Sequence, residues 1–520
     1  MKAAGLALFA TLATLATLAT LACARGAPPA TVPAPVPVVR SDVAPVTSPG
    51  STLPPALRVG ADPAALQAIA RASGQGSRLR EDAQYLTDVV GPRLTGSSGL
   101  KRATDWALTR FRAHGADSAW LEPWRFGMAW ERGPIALTLL APHRRQLHGA
   151  SFAWAPGTEG PVAGDVVFVD AVSIDEFKRR FAGRLAGAWA MIVPPQPRRN
   201  PADPALTARD SAALDSARHA YYAPAATSDE AALRRSMFAL LADAGALGII
   251  GDGEKDYGLL RTSGSPARPF PIPYVVVAHD TYAQLHRLVR AGERVTLRAD
   301  IHNTLARDSS TVHNVVAELR GTDRRGEVVV VGAHLDSWDL GTGATDNAAG
   351  VVALLEAVRV LAASDVRPRR TIRFILFSGE EQGLLGSTAY VRAHRDELAG
   401  VQAVLILDNG TGRITGMSVS PADDATALWE SLLSAISDRG PFTVQRRNKG
   451  GTDHRPFVEA GVPGFSYDQA SRGYDLSWHS QLDTFDALVP ADLEQAAFVI
   501  AVTAYELANL PGLLPRVATP

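Results

Sequence analysis

The sequence predicts an α/β protein: a mixed, mainly parallel central sheet with helices on both faces, interrupted by a β-rich insert. Three observations predict it. After Asn303, apolar strand-like runs alternate with amphipathic helical ones, the pattern of parallel strands joined by helices. Between about 140 and 303, short valine-rich runs alternate with turns and polar segments, which reads as a separate module. The 520 residues, 46% of them hydrophobic, exceed the roughly 100–200 residues of one domain and give ample material for large cores. A net charge of −1 offers no electrostatic case for a nucleic-acid partner. The one cysteine, Cys23, excludes an internal disulfide and any cysteine-rich metal site. A metal in this chain must be held by His, Asp and Glu.

Taken in order, residues 1–24 read as a secretory leader: Lys2, an uncharged Ala/Leu/Thr run, then Ala22-Cys23-Ala24. Two endings are open. Ala22 and Ala24 fit a signal-peptidase site, while Leu21-Ala22-Cys23 resembles a lipobox that would place a lipid anchor on Cys23; a retained span is disfavoured by the threonines. Export to the periplasm or the outside follows, as a tethered lipoprotein if Cys23 is lipidated. Residues 25–57 are rich in Pro and Ala and predict an extended polyproline-type tether. Residues 58–138 open the catalytic domain. They carry the Gly91–Ser97 loop GPRLTGS and a helix from about Ser98 to His114 with Trp106, Leu108 and Phe111 on its apolar spacing. The insert, 139–303, holds strands Val166–Val169, Ala188–Val193, Leu247–Ile250, Tyr274–Val277 and Arg294–Ala299, with a surface excursion from Pro194 to about Ser228. Residues 304–515 complete the catalytic domain with strands Asn314–Leu319, Glu327–Gly332, Thr371–Phe377 and Val401–Leu407, and helices Asn347–Ala362 and Glu381–His394.

Sites on such sheets lie at the carboxyl ends of strands. There the sequence delivers His334-Leu335-Asp336, a glycine-rich loop ending in Asp346-Asn347, then Glu380-Glu381, Asp408-Asn409, Thr452-Asp453-His454 and Trp478-His479. Singly, each has a structural explanation: Asp346 as a helix cap, Glu380-Glu381 as a solvated pair at a helix start. Together they crowd carboxylates where repulsion must be offset by cations. Zinc offers that offset through His nitrogen and carboxylate oxygen, one shared carboxylate and two terminal ligands per ion make a two-zinc site, and Glu380 is the natural general base.

The runs GAHLDSWDLGTGATDNAAG, FSGEEQGLLGS, LDNGTG, GTDHRPFVEAGVPG and WHSQLDTFD resemble the co-catalytic dinuclear zinc exopeptidase family of leucyl aminopeptidase and glutamate carboxypeptidase type, and among its branches the plasma glutamate carboxypeptidase one. The resemblance covers about 304–512, more weakly 80–115, and the module between resembles a protease-associated domain. It implies a zinc-exopeptidase phosphorylase/hydrolase-like fold and two zinc ions per chain. Asp346 would bridge them, His334 and Asp408 would complete one site, and Glu381 and His479 the other. Glu380 would be the base, Asp336 would orient the His334 imidazole, and the Asp346-Asn347 peptide would be cis. The expected partner is a dipeptide or short peptide, with Arg472, Tyr467 and Tyr474 as candidate substrate contacts, and a homodimer is the assembly considered. Two alternatives stay open: an N-acyl amino acid amidohydrolase, or a receptor-like binding protein without catalytic metals.

Overall fold

The computed structural model describes residues 62–195, 229–420, 425–447 and 450–516. The leader, Cys23, the proline-rich tether and most of the Pro194–Ser228 excursion lie outside them. Strand β1 (Ser118–Glu131) opens one sheet. The chain then builds a second sheet from β2 (Ile135–Ala141), β3 (Arg145–Leu147), β4 (Gly149–Ser151), β5 (Val162–Phe168), β6 (Trp189–Met191), β7 (Gly248–Asp252), β8 (Tyr274–Val277) and β9 (Thr296–Ile301). It returns to the first with β10 (Thr304–Leu319), β11 (Arg324–His334), β12 (Arg370–Phe377), β13 (Val401–Ile406), β14 (Ile414–Val419), β15 (Thr443–Arg446) and β16 (Gly464–Gln469).

Antiparallel pairing of β1 with β10 brings the departure and return points together, because Glu131 lies opposite Thr304. The second sheet is therefore an excursion between two paired strands, and β2 already belongs to it a few residues before 139. It is less purely β than the sequence suggests. Its centre, β5-β6-β7-β8, is parallel, and parallel neighbours need crossovers. Helices Ile174–Arg180, Asp229–Asp243 and His279–Arg290 lie in this part of the chain.

The first sheet runs β1-β10-β12-β11-β13-β16-β14-β15, with β12, β11, β13 and β16 parallel at its centre. Successive strand side chains point to opposite faces, and β11 shows the result. Val329 and Val331 join a core with helices Ala349–Ala363 and Pro490–Asn509, whereas Val328 and Val330 join another with Phe377, Tyr390 and Phe457. All four valines are buried, which is why the strand reads as a continuous apolar run. Each contributes roughly 1.5–3 kcal/mol by leaving water. Those helices are apolar nearly all round, so their burial fixes the sheet rigidly beneath whatever its strand ends carry.

Candidate metal centre

Register sets the site. His334 ends β11 opposite Phe377 of β12, and Gly332 pairs with Ile406 of β13. Residues just beyond these strands, Glu380, Glu381 and Asp408, thus emerge at one level beside His334. Asp346 arrives from the loop before helix Ala349–Ala363, with extended φ −132° and ψ 85°. Its carboxylate does not cap that helix. Asn347 does so instead: its Oδ1 accepts from Gly350 N (2.9 Å), and its Nδ2 donates to the Leu407 carbonyl (2.9 Å). The Asp346-Asn347 peptide is cis.

Two clusters result, and Asp346 belongs to both. His334 Nε2 lies 3.2 Å from Asp346 Oδ1 and 3.2 Å from Asp408 Oδ1. His479 Nε2 lies 3.2 Å from Asp346 Oδ2 and 3.0 Å from Glu381 Oε2. Asp346 therefore turns one oxygen toward each imidazole. The donor set suits a zinc-type dication: two imidazole nitrogens, carboxylates, no thiolate, and a buried Glu381 Oε1 with no partner among the described residues.

The electrostatics show how crowded the acids are. Burial pushes the Glu381 carboxyl up to about 7, as Asp346 does, against the pull of His479. Glu380 is pushed well above the ordinary carboxyl range by burial and by Asp408, Glu381 and Asp453, with His334 opposing. Burial disfavours the charged form of His479, yet Glu381 and Asp346 raise it to about 9. Tyr474 is held protonated by burial and by Asp346, Asp408 and Glu381, so its phenol shares the field of the cluster. Its ring fills the place where a Cβ on Gly410 would sit, 2.9 Å from the nearest ring carbons.

Three expectations change. Asp336 does not orient the imidazole with its carboxylate, which lies 3.8 Å from His334 Nδ1; the main-chain carbonyl of the same residue takes Nδ1 at 3.0 Å. The carboxylate instead accepts from Thr95 Oγ1 (2.8 Å) and the amides of Glu380 and Glu381 (both 3.3 Å), fixing the strand end that carries them. Tyr467 faces away from the cluster. It is fully buried beside helix Pro490–Asn509 with its hydroxyl 2.6 Å from Thr503 Oγ1, because alternation along β16 turns it inward. Arg472 is paired with Asp492 at 2.7 Å and is not available as an isolated carboxylate receptor.

Other residues surround the ligands. Asp453, which the sequence already places at a strand end in Thr452-Asp453-His454, is fully buried, and burial together with Asp408 and Asp336 pushes it up to about 7, with His334 and a hydrogen bond from Ser387 opposing. Two further contributors escape a sequence reading. Asp483 accepts from Thr345 N (2.5 Å) and Asp346 N (3.2 Å), holding the shared carboxylate's backbone. Arg93 of GPRLTGS is fully buried and donates to the carbonyls of Leu335, Thr342 and Gly343, which flank the His334–Asp346 loop. Only the LDTFD and GPRLTGS runs hinted at these roles.

Residues 314–504 match the model of Peptidase family M28. Among curated proteins the chain is similar to Carboxypeptidase Q of Mus musculus, 29% identical over 445 residues, covering 85% of this chain and 87% of the relative. It is also similar to Aminopeptidase YwaD of Bacillus subtilis, 32% identical over 188 residues but covering 35% of this chain and 41% of that protein. Among solved structures, a Peptidase M28 precursor from Shewanella amazonensis matches with TM-score 0.68 and 27% identity over 87% of this chain and 98% of the other.

Proposed function

We propose that this metallopeptidase, whose residues 314–504 match the model of Peptidase family M28, is a dinuclear zinc exopeptidase of dipeptides or short peptides with free termini. One observation carries this reading: Asp346 presents Oδ1 toward His334 and Oδ2 toward His479. A carboxylate so shared suits two cations, one for each triad. His334 and Asp408 would complete the first site, Glu381 and His479 the second.

When bound, zinc lowers the pKa of water and polarises the scissile carbonyl. The chain's own residues supply the rest. Glu380 accepts the proton of the attacking water and returns it to the leaving amine. Asp336, gripping the amides of Glu380 and Glu381, keeps base and ligand in fixed relation. Tyr474, held as the neutral phenol, offers a hydrogen bond to substrate oxygen, the role left to it once Tyr467 and Arg472 are committed elsewhere.

The test joins zinc stoichiometry of protein purified without chelator to turnover of free, N-blocked and C-blocked dipeptides. Two zinc ions per chain and loss of turnover on blocking one terminus are expected; no zinc, or hydrolysis of N-acyl amino acids in place of dipeptides, refutes the proposal. The 1–24 leader and the Cys23 anchor are checked by mass spectrometry of the mature N-terminus, and the homodimer by light scattering. Among the described residues, no helix is long and apolar enough to cross a membrane.

A further inference from the structure

His479 enters the cluster from a backbone at φ +54°, a left-handed conformation that a non-glycine residue keeps only where its surroundings hold it. Its Nε2 faces Asp346 and Glu381, but its Nδ1 is buried without a hydrogen-bond partner among the described residues. His334 is different, since the Asp336 carbonyl fixes its Nδ1. An imidazole that ligates metal ordinarily has its second nitrogen held by a carboxylate, carbonyl or water, which sets the ring's direction. For His479 no described residue takes that nitrogen, and the ring's direction has another source.

It comes from stacking. Trp478 lies on the imidazole with ring centres 4.0 Å apart and planes inclined by 28°, and Trp338 is tilted against it at 5.9 Å. Trp478 is in turn covered by the Arg261 guanidinium, 4.5 Å from the ring centre, and by Lys255 Nζ at 5.9 Å. Both cations belong to the segment between β7 and β8, within the second sheet's part of the chain. The same segment grips the backbone before His479 and a side chain after it. Lys255 Nζ donates to the carbonyls of Asp475 (2.8 Å) and Leu476 (3.2 Å), and Leu260 N donates to Gln481 Oε1 (2.9 Å).

We infer that residues 254–261 of the insert are a positioning element for one metal site: through the Arg261–Trp478–His479 stack and the Lys255 contacts they aim the His479 imidazole at Asp346 and Glu381. The inference rests on the dinuclear reading above and gives the insert a share in the centre itself. It also makes the two sites unequal. The His334 site is anchored within the first sheet, whereas the His479 site depends on a segment from the second.

The test is a zinc-chelator competition titration on the full chain, comparing wild type with Trp478→Leu, Trp478→Phe and the double variant Lys255→Met/Arg261→Gln, with circular dichroism to confirm folding. The expected result is two zinc ions in each, with affinity for one of them lowered by roughly 10–100-fold in Trp478→Leu and in the double variant, the other affinity unchanged, and Trp478→Phe close to wild type. Wild-type affinity at both sites in the folded double variant overturns the inference alone. Wild type binding fewer than two zinc ions overturns the dinuclear reading with it. Should Trp478→Leu not fold, the double variant, whose changes lie outside the cluster, decides the matter.

Discussion

Arg93→Met is the sharpest probe of how the metal loop is held. The guanidinium is fully buried and donates to four main-chain carbonyls: Leu335 and Thr342 at 2.7 Å, Gly343 at 2.8 Å and Gly91 at 3.1 Å. Burial lowers its pKa to about 10, with Asp483, Asp336, Asp346 and Glu381 opposing that fall, so it stays charged at neutral pH. Methionine occupies a similar volume, which keeps the cavity term small. What goes is the set of charge-assisted hydrogen bonds, each contributing about 1.5–3 kcal/mol, less the desolvation cost of burying the cation. Removing one partner from a buried charged network costs about 3–5 kcal/mol. We expect about 4 kcal/mol, a large part of the roughly 5–15 kcal/mol that a folded protein has in total. Urea unfolding of the zinc-free protein, followed by tryptophan fluorescence, measures it. Arg93→Lys should fall between wild type and Arg93→Met, since an ammonium keeps the charge but cannot span four acceptors. A loss below about 1 kcal/mol in Arg93→Met would show that the carbonyls find other partners and refute the argument.

Other outcomes follow from the same geometry. Glu380→Gln should keep both zinc ions and lose about 10²–10⁴-fold in kcat, measured with a dipeptide and metal analysis side by side; undiminished turnover excludes Glu380 as the base. Asp346→Asn should abolish tight binding of both ions, whereas Asp408→Asn and Glu381→Gln should each spare one, read by stoichiometry after dialysis. Glu506, buried on helix Pro490–Asn509 with Oε1 unpartnered among the described residues, is pushed up to about 7, chiefly by burial. Its folded pKa exceeds the unfolded one, so the stability it contributes is complete below about pH 4.5 and lost as pH rises through about 7. Glu506→Gln should therefore gain about 1–3 kcal/mol on wild type between pH 5 and pH 8, a figure reduced for partial exposure; parallel pH profiles in the two proteins would contradict it.

Much of the fold was legible because its signals are local. The central strands of the first sheet are unbroken apolar runs, and the helix Ala349–Ala363 has few polar positions. Strand β1 was not legible: its 14 residues mix Trp, Glu, Pro, Arg and Gly at an edge whose partner, β10, lies some 190 positions later in the chain. In the insert, strand patterns were visible while helices Asp229–Asp243 and His279–Arg290 passed as polar segments.

By itself the sequence determined the chemistry at the strand ends. A run that finishes a buried strand and then spells His-Leu-Asp, Glu-Glu or Asp-Asn must leave those side chains at the sheet's carboxyl edge, because parallel register allows no other place. Only the tertiary structure decided what each of them does there. It gave the His334 Nδ1 to a carbonyl rather than to the Asp336 carboxylate, turned Tyr467 into the core, paired Arg472 with Asp492, and brought Arg93 and the Lys255–Arg261 segment to the centre. The reason is distance along the chain. Arg93 meets Leu335 across 242 positions, and Lys255 meets Asp475 across 220; local pattern specifies elements, while such meetings depend on how every intervening element packs.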